Sequence, residues 1–172
     1  MKKLFALLLA LVLVFPVFTA VAETATGSDV IEVPAVENGT VVPFADHNFQ
    51  ITLPSDWNVL EVTEDQAATG IFFNCANPEG TRSFTIAYSE FETATDIQTV
   101  AEALASTYEN VQLLTINDIP VVSYVMSEND VMSIATLNAS GIGMYQFVFY
   151  PASDAEYVTL AEQIAASINT IE

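Results

Sequence analysis

Residues 144–150 read MYQFVFY, and this stretch decides the fold. Apart from Gln146 it is apolar or aromatic throughout, and it has the length of a strand rather than of a helix. The turn-forming residues 140–143 precede it and Pro151 follows it. A nearly continuous apolar run of this length predicts a strand that is central in its sheet and covered on both faces.

The segments before this stretch predict three further strands of one antiparallel meander. Residues 111–116 and 119–126 flank Asn117-Asp118, a two-residue turn suited to a tight hairpin. A polar turn at 128–130 then leads into a strand at 131–138. We therefore expect four sequential strands that pair with their chain neighbours.

Helices are predicted on either side of the meander. Residues 95–111 and 153–171 each carry apolar side chains at spacings of three and four, which places them on one helix face. Thr95 with Gln98, and Ser153 with Glu156, fit the capping-box pattern at the two helix starts. With strands at 49–53, 57–62, 71–76 and 84–88, the element order predicts an α+β fold: an antiparallel sheet with helices packed on it.

Residues 49–57, FQITLPSDW, resemble the entry signature of PsbP-like domains, an aromatic-x-aliphatic-x-Leu-Pro-x-x-Trp pattern. The order of the later elements is also similar, and the resemblance covers about residues 43–172. It implies an α-β-α sandwich. In that family the domain is an extrinsic photosystem II subunit of plants and algae, a related eukaryotic group binds the small GTPase Ran, and many secreted bacterial members have no assigned role. The resemblance thus implies binding or assembly, and it transfers no site residue.

The first 22 residues have the anatomy of a secretory signal peptide. Lys2 and Lys3 give a positive start, residues 4–18 are apolar, and residues 20–22, Ala-Val-Ala, form a cleavage site. We expect an extracytoplasmic protein, secreted or periplasmic, and the short Met-Lys-Lys start suggests a bacterium. The predicted organisation is a signal peptide at 1–22, a flexible acidic lead-in at 23–40 with a short strand at 30–33, and a single domain at 41–172.

The charge of the processed chain is almost entirely of one sign. After removal of residues 1–22, 22 Asp and Glu residues face the single base Arg82, a net charge of −21. Such a surface repels nucleic acid and anionic lipid, so we expect neither as a partner. It attracts cationic ligands or proteins, but acids spread along a chain also serve as an ordinary solvated surface.

His47 and Cys75 are the sole histidine and cysteine. A hydrolase would need His47 beside a nucleophile and a carboxylate, yet no Gly-x-Ser-x-Gly motif is present and Asp46-His47-Asn48 has turn composition. Cys75 ends an apolar run, which favours a buried small hydrophobe, with an intermolecular disulfide as the alternative. One His and one Cys cannot make a closed zinc site.

Calcium is the one metal that the acids suggest, because Ca²⁺ takes several oxygen ligands. The candidate ligands are Glu61, Glu64 and Asp65 in one cluster, and Glu128 and Asp130 in another. Neither cluster has EF-hand spacing, and ordinary polar turns are the favoured interpretation of both. No cofactor is indicated.

Taken together, the sequence predicts an exported small accessory domain that binds a partner protein or small ligand, with a cationic partner favoured, and has no catalytic role. A calcium-binding stabilising module is the first alternative, and an envelope hydrolase that uses His47 is the second.

Overall fold

The computed structural model describes residues 29–30 and 33–171; the predicted signal peptide at 1–22 lies outside the described residues. In chain order the helices and strands are β1 Asp29–Val30, β2 Gly39–Phe44, β3 Phe49–Pro54, β4 Asn58–Leu60, α1 Glu64–Ala67, β5 Ile71–Ala76, β6 Ser83–Glu90, α2 Ile97–Ala105, β7 Gln112–Ile116, β8 Ile119–Met126, β9 Val131–Leu137, β10 Gly143–Tyr150, α3 Ala155–Ala166 and β11 Asn169–Thr170.

In the described part of the chain the strands form two sheets. The larger has eight strands in the order β1-β7-β8-β9-β10-β6-β5-β4, and the smaller has three in the order β11-β3-β2. Pairing is antiparallel throughout except between β1 and β7. The predicted α+β fold with an antiparallel sheet is confirmed, whereas the separation of β2 and β3 into a second sheet was not foreseen.

Strand β10 lies inside the larger sheet, between β9 and β6, and is covered on both faces. On one face Phe147 and Phe149 are each 1% exposed and belong to a core shared with β3 and α3. On the other face Met144 is 6% exposed and belongs to a second core with α2. The prediction of a central strand buried on two sides is confirmed, and it explains why a layer lies on each side of the sheet.

Each of the two longer helices begins one residue later than the capping boxes predicted. Asp96 caps α2 by accepting a hydrogen bond from the Thr99 N–H at 2.8 Å. Asp154 caps α3 by accepting from the N–H groups of Glu156 and Tyr157. A carboxylate at this position satisfies free N–H groups and also complements the helix dipole. Among the described residues no helix is long and apolar enough to cross a membrane.

Part of the segment expected to be a flexible lead-in contributes to the fold. Asp29 and Val30 pair in parallel with β7, and Val36 is 8% exposed within the first core. The observed strand Asp29–Val30 overlaps the short strand expected at 30–33 at Val30 alone, and residues 31–32 lie outside the described residues. The packing of this domain begins before residue 41.

Removal of the Phe147 side chain should destabilise the protein strongly, because this ring fills the centre of the first core. We expect Phe147→Ala to lower the free energy of unfolding by about 3–5 kcal/mol, measured by urea denaturation. Ile142→Ala is the matched control, since Ile142 lies 43% exposed in the turn before the same strand. It should change stability by about 0.5 kcal/mol or less. Similar losses in the two variants would contradict the burial of this face of β10 in the first core.

Candidate functional site

His47 lies in a half-buried group of aromatic rings between the two sheets. A short 3-10 turn, Ala45–His47, carries it between β2 and β3. Its imidazole stacks on Phe72 with ring centroids 4.0 Å apart. A hydrogen bond of 3.4 Å joins its Nδ1 to the Tyr145 hydroxyl. His47, on the connection between β2 and β3 of the small sheet, thus contacts β5 and β10 of the larger sheet.

Six rings make up this group, which we call the aromatic cluster. Tyr88 and Tyr145 are cross-strand partners on β6 and β10, with centroids 4.9 Å apart. Tyr145 also contacts Phe49 at 5.2 Å. Phe49 is buried, and the other rings are partly open to solvent. The members are Phe44, His47, Phe49, Phe72, Tyr88 and Tyr145.

Irregular backbone positions allow these rings to meet. The register between β5 and β6 shifts between Ile71 and Phe73, so Phe72 is the extra residue of a β-bulge. Gly143 lies beneath the Tyr88 ring, where a Cβ atom would be 2.1 Å from the hydroxyl oxygen. A bulge changes the direction of a side chain, and a glycine lets a neighbouring ring approach the backbone closely. The aromatic cluster contains one example of each.

The aromatic cluster is electrically neutral but lies beside carboxylates. Burial lowers the pKa of His47, and the neighbouring Asp46 opposes that shift. Burial raises the pKa of Tyr88, and Glu90 adds to the shift. The Tyr88 hydroxyl donates to Glu90 Oε1 at 3.4 Å. A neutral aromatic surface with exposed carboxylates beside it suits a cationic group better than an anionic one.

The described part of the chain provides no nucleophile as a hydrogen-bonding partner of His47. In residues 33–171 no hydrogen bond joins its ring to a serine, a cysteine or a carboxylate. Cys75 is 1% exposed, and burial raises the pKa of its thiol to about 12. A protonated, enclosed thiol neither attacks a substrate nor reaches another chain. The prediction that Cys75 is a buried small hydrophobe is confirmed.

The acids proposed for calcium are exposed or engaged elsewhere in the described part of the chain. Glu64 and Asp65 lie exposed in the first turn of α1, after the exposed Glu61. Asp130 accepts hydrogen bonds from the N–H and the hydroxyl of Ser153, each at 2.7 Å.

Glu128, the remaining candidate ligand, is exposed in the turn before β9. Within the described residues no group of three His, Cys, Asp or Glu side chains is arranged to hold a metal ion. The calcium site remains a prediction that no preformed arrangement in this part of the chain supports.

Arg82, the only base predicted to remain after processing, is engaged within the protein. Its guanidinium lies 2.7 Å from Asp154 and 3.4 Å from Glu156, and it sits over the Tyr157 ring. The hydrogen bond from Arg82 holds the pKa of Asp154 below its ordinary range. In the described part of the chain this arginine is the one Lys or Arg residue, so the charges left unpaired are carboxylates.

An open depression of about 480 Å³ lies between the turn at Asn117 and residues 166–170. Its lining contains no side chain that ionises near neutral pH. The Asn117 amide donates to the carbonyl oxygen of Ala166 across it. This depression therefore lacks the groups that acid–base chemistry requires.

The single histidine gives a direct test of the cluster by NMR. We expect the His47 imidazole to titrate below its ordinary pKa of 6.5, because burial disfavours the charged ring. A lowered folded-state pKa means that protonation favours unfolding, so this contribution to stability is present above pH 6.5 and is lost as the pH falls. Tyr145→Phe, which keeps the ring but removes the hydroxyl, is the control for the hydrogen bond. A titration at or above pH 6.5 would contradict the stacked, half-buried placement.

No protein-family model matches the sequence, and no curated protein matches it. The fold is similar to the solution structure of cyanobacterial PsbP (CyanoP) from Synechocystis sp. PCC 6803, with a TM-score of 0.57 and 11% identity. That similarity covers 87% of this chain and 98% of the cyanobacterial chain.

A crystal structure from Bacteroides thetaiotaomicron VPI-5482 is also similar, with 20% sequence identity and a TM-score of 0.48. That match covers 73% of this chain and 46% of the other chain. The first similarity confirms the fold that the sequence resemblance implied, so the chain has a PsbP-like fold.

Proposed function

We propose that this chain is an exported accessory domain that binds a partner protein with a basic surface and carries out no catalysis. The observation that carries the proposal is the unbalanced surface. Arg82 is neutralised by Asp154 and Glu156, while the other ionised groups of residues 33–171 are acids. The PsbP-like fold supports an accessory role, and the signal-like residues 1–22 support export.

The charge distribution determines which partners can approach. A large negative field accelerates the approach of a basic surface and weakens as salt is added. The same field repels phosphate backbones, anionic lipids and a second copy of the chain. A basic protein is therefore the class of macromolecule that this surface favours.

The aromatic cluster supplies an anchor within that field. Tyrosine is enriched among the residues that contribute most to protein–protein affinity, and ring faces attract Arg and Lys side chains. Tyr88, Tyr145 and Phe72 are partly open to solvent. Asp46 and Glu90 lie beside them and are exposed. A cationic side chain at this place would meet a ring face and a carboxylate together.

Capture of the partner at graded salt tests the proposal. The processed chain is immobilised, exposed to the extracytoplasmic fraction of its own organism, and washed from about 0.05 M to about 1 M NaCl, which shrinks the Debye length several-fold. We expect a partner with a basic surface that elutes within this range. Asp46→Asn/Glu90→Gln should weaken its binding about fivefold or more.

The matched control removes the same amount of charge elsewhere. Glu102 and Glu109 are exposed on α2 and just after it, and Glu102→Gln/Glu109→Gln should weaken binding less than about twofold. A partner that resists high salt and binds both double variants as it binds the unmodified chain would contradict the proposal. So would turnover of a substrate that His47→Ala abolishes.

A further inference from the structure

Strand β4 forms one edge of the larger sheet, and its side chains are uncovered. Among the described residues β4 pairs with β5 alone. Asn58, Val59 and Leu60 are all exposed, with Val59 at 67% and Leu60 at 46%. Adjacent residues of a strand point to opposite faces, so this edge is bare on both sides.

The neighbouring strand β5 is buried, so the layers that cover the two faces of the sheet end between β5 and β4. Val59 is paired with Cys75, which is 1% exposed, and Leu60 with Asn74, which is 6% exposed. Directly paired residues share a face of the sheet. Each face is thus closed over β5 and open over β4.

The ladder leaves the backbone of Val59 unpaired at the free edge. The Asn77 N–H donates to the Arg82 carbonyl at 3.0 Å and begins the β5–β6 ladder. Hydrogen-bonding direction alternates along an antiparallel strand, so Cys75 bonds toward β6 while Asn74 and Ala76 bond toward β4. Val59, opposite Cys75, then directs its N–H and C=O outward.

The charges around β4 determine what could pair with this edge. Exposed edges are commonly protected by lysine or proline within the strand, and β4 contains neither. Acids surround it instead: Asp56 before it, Glu61 after it, and Glu64 and Asp65 at the start of α1. A second copy would bring the same carboxylates, so self-pairing is opposed and a cationic strand is favoured.

We propose that β4 is a docking edge at which an extended partner segment, alternating apolar residues with Lys or Arg, adds as a further strand. This inference rests on the proposed function and names the partner's recognition element. Apolar side chains of the segment cover Val59 and Leu60, its backbone pairs with Val59, and its cations meet Asp56 and Glu61. Strand addition draws its affinity from main-chain hydrogen bonds and its specificity from alternate side chains.

A peptide probe separates strand addition from simple charge attraction. The probe is a fluorescein-labelled peptide of about seven residues with alternating Lys and Val, measured by anisotropy on the processed chain. A control peptide has the same charge but carries N-methyl groups on alternate residues, along the peptide edge that would pair with β4. We expect the N-methylated peptide to bind about tenfold more weakly, since it cannot donate to the Val59 carbonyl and its methyl groups obstruct close pairing with the edge.

Variants of β4 test the same edge from the protein side. Val59→Pro removes the outward N–H without removing a bond to β5, and proline is tolerated at such positions. It should weaken binding of the parent peptide about fivefold. Val59→Thr keeps the N–H and the strand shape, and its affinity for the peptide should stay within about twofold of the unmodified protein. Val41→Thr alters another exposed edge valine, on β2, and should leave binding unchanged.

Equal binding of the two peptides to the unmodified protein would overturn the proposal. This comparison does not depend on the folding of any variant. Failure of the parent peptide to bind would overturn it too. Neither result touches the proposed function, which the salt-dependent capture of the natural partner tests separately. If Val59→Pro retains that partner fully, the docking edge is wrong while the accessory role stands.

Discussion

Burial of β10 on both faces is the constraint on which the rest of the structure depends. Phe149 stacks on Phe84 with centroids 4.8 Å apart, and together with Phe147 these rings require a covering layer. On the other face the polar Gln146 is buried, and its amide donates to the Tyr124 hydroxyl at 3.3 Å. Among the described residues, the layers that cover β10 do not extend as far as β4, whose side chains stay exposed.

Local patterns in the sequence predicted the elements that depend on local chemistry. The apolar run at 144–150 predicted a central strand, and Asn117-Asp118 predicted a tight turn, in which both residues adopt positive φ. The predicted helix caps were wrong by one residue: Thr95 with Gln98 and Ser153 with Glu156 match the capping-box spacing, but the aspartates that follow Thr95 and Ser153 cap the helices. The split into two sheets depends on pairings such as β3 with β11, which no local pattern encodes.

The candidate site was predicted only in pieces. His47 was conspicuous as the sole histidine, but its stacking on Phe72 arises from a bulge and from contacts between two sheets. Arg82 was conspicuous as the sole base, while its partner Asp154 lies 72 positions away in the sequence. Periodicity identifies which residues are buried or exposed; it does not identify which of them meet. The exposed Val59 and Leu60 gave no signal of their own, because they read as an ordinary strand.

Residues 23–172 contain no lysine, and this makes one measurement especially direct. Carbodiimide joins carboxylates to amines without a spacer, and these residues offer 22 side-chain carboxylates and no side-chain amine. Zero-length cross-linking in the extracytoplasmic fraction, read by mass spectrometry, therefore reports contacts with amines of other proteins. The account predicts cross-links from partner lysines to Glu61, Glu64, Asp46 or Glu90. Cross-links confined to Glu102 and Glu109, or none at all, would contradict a basic partner bound at this surface.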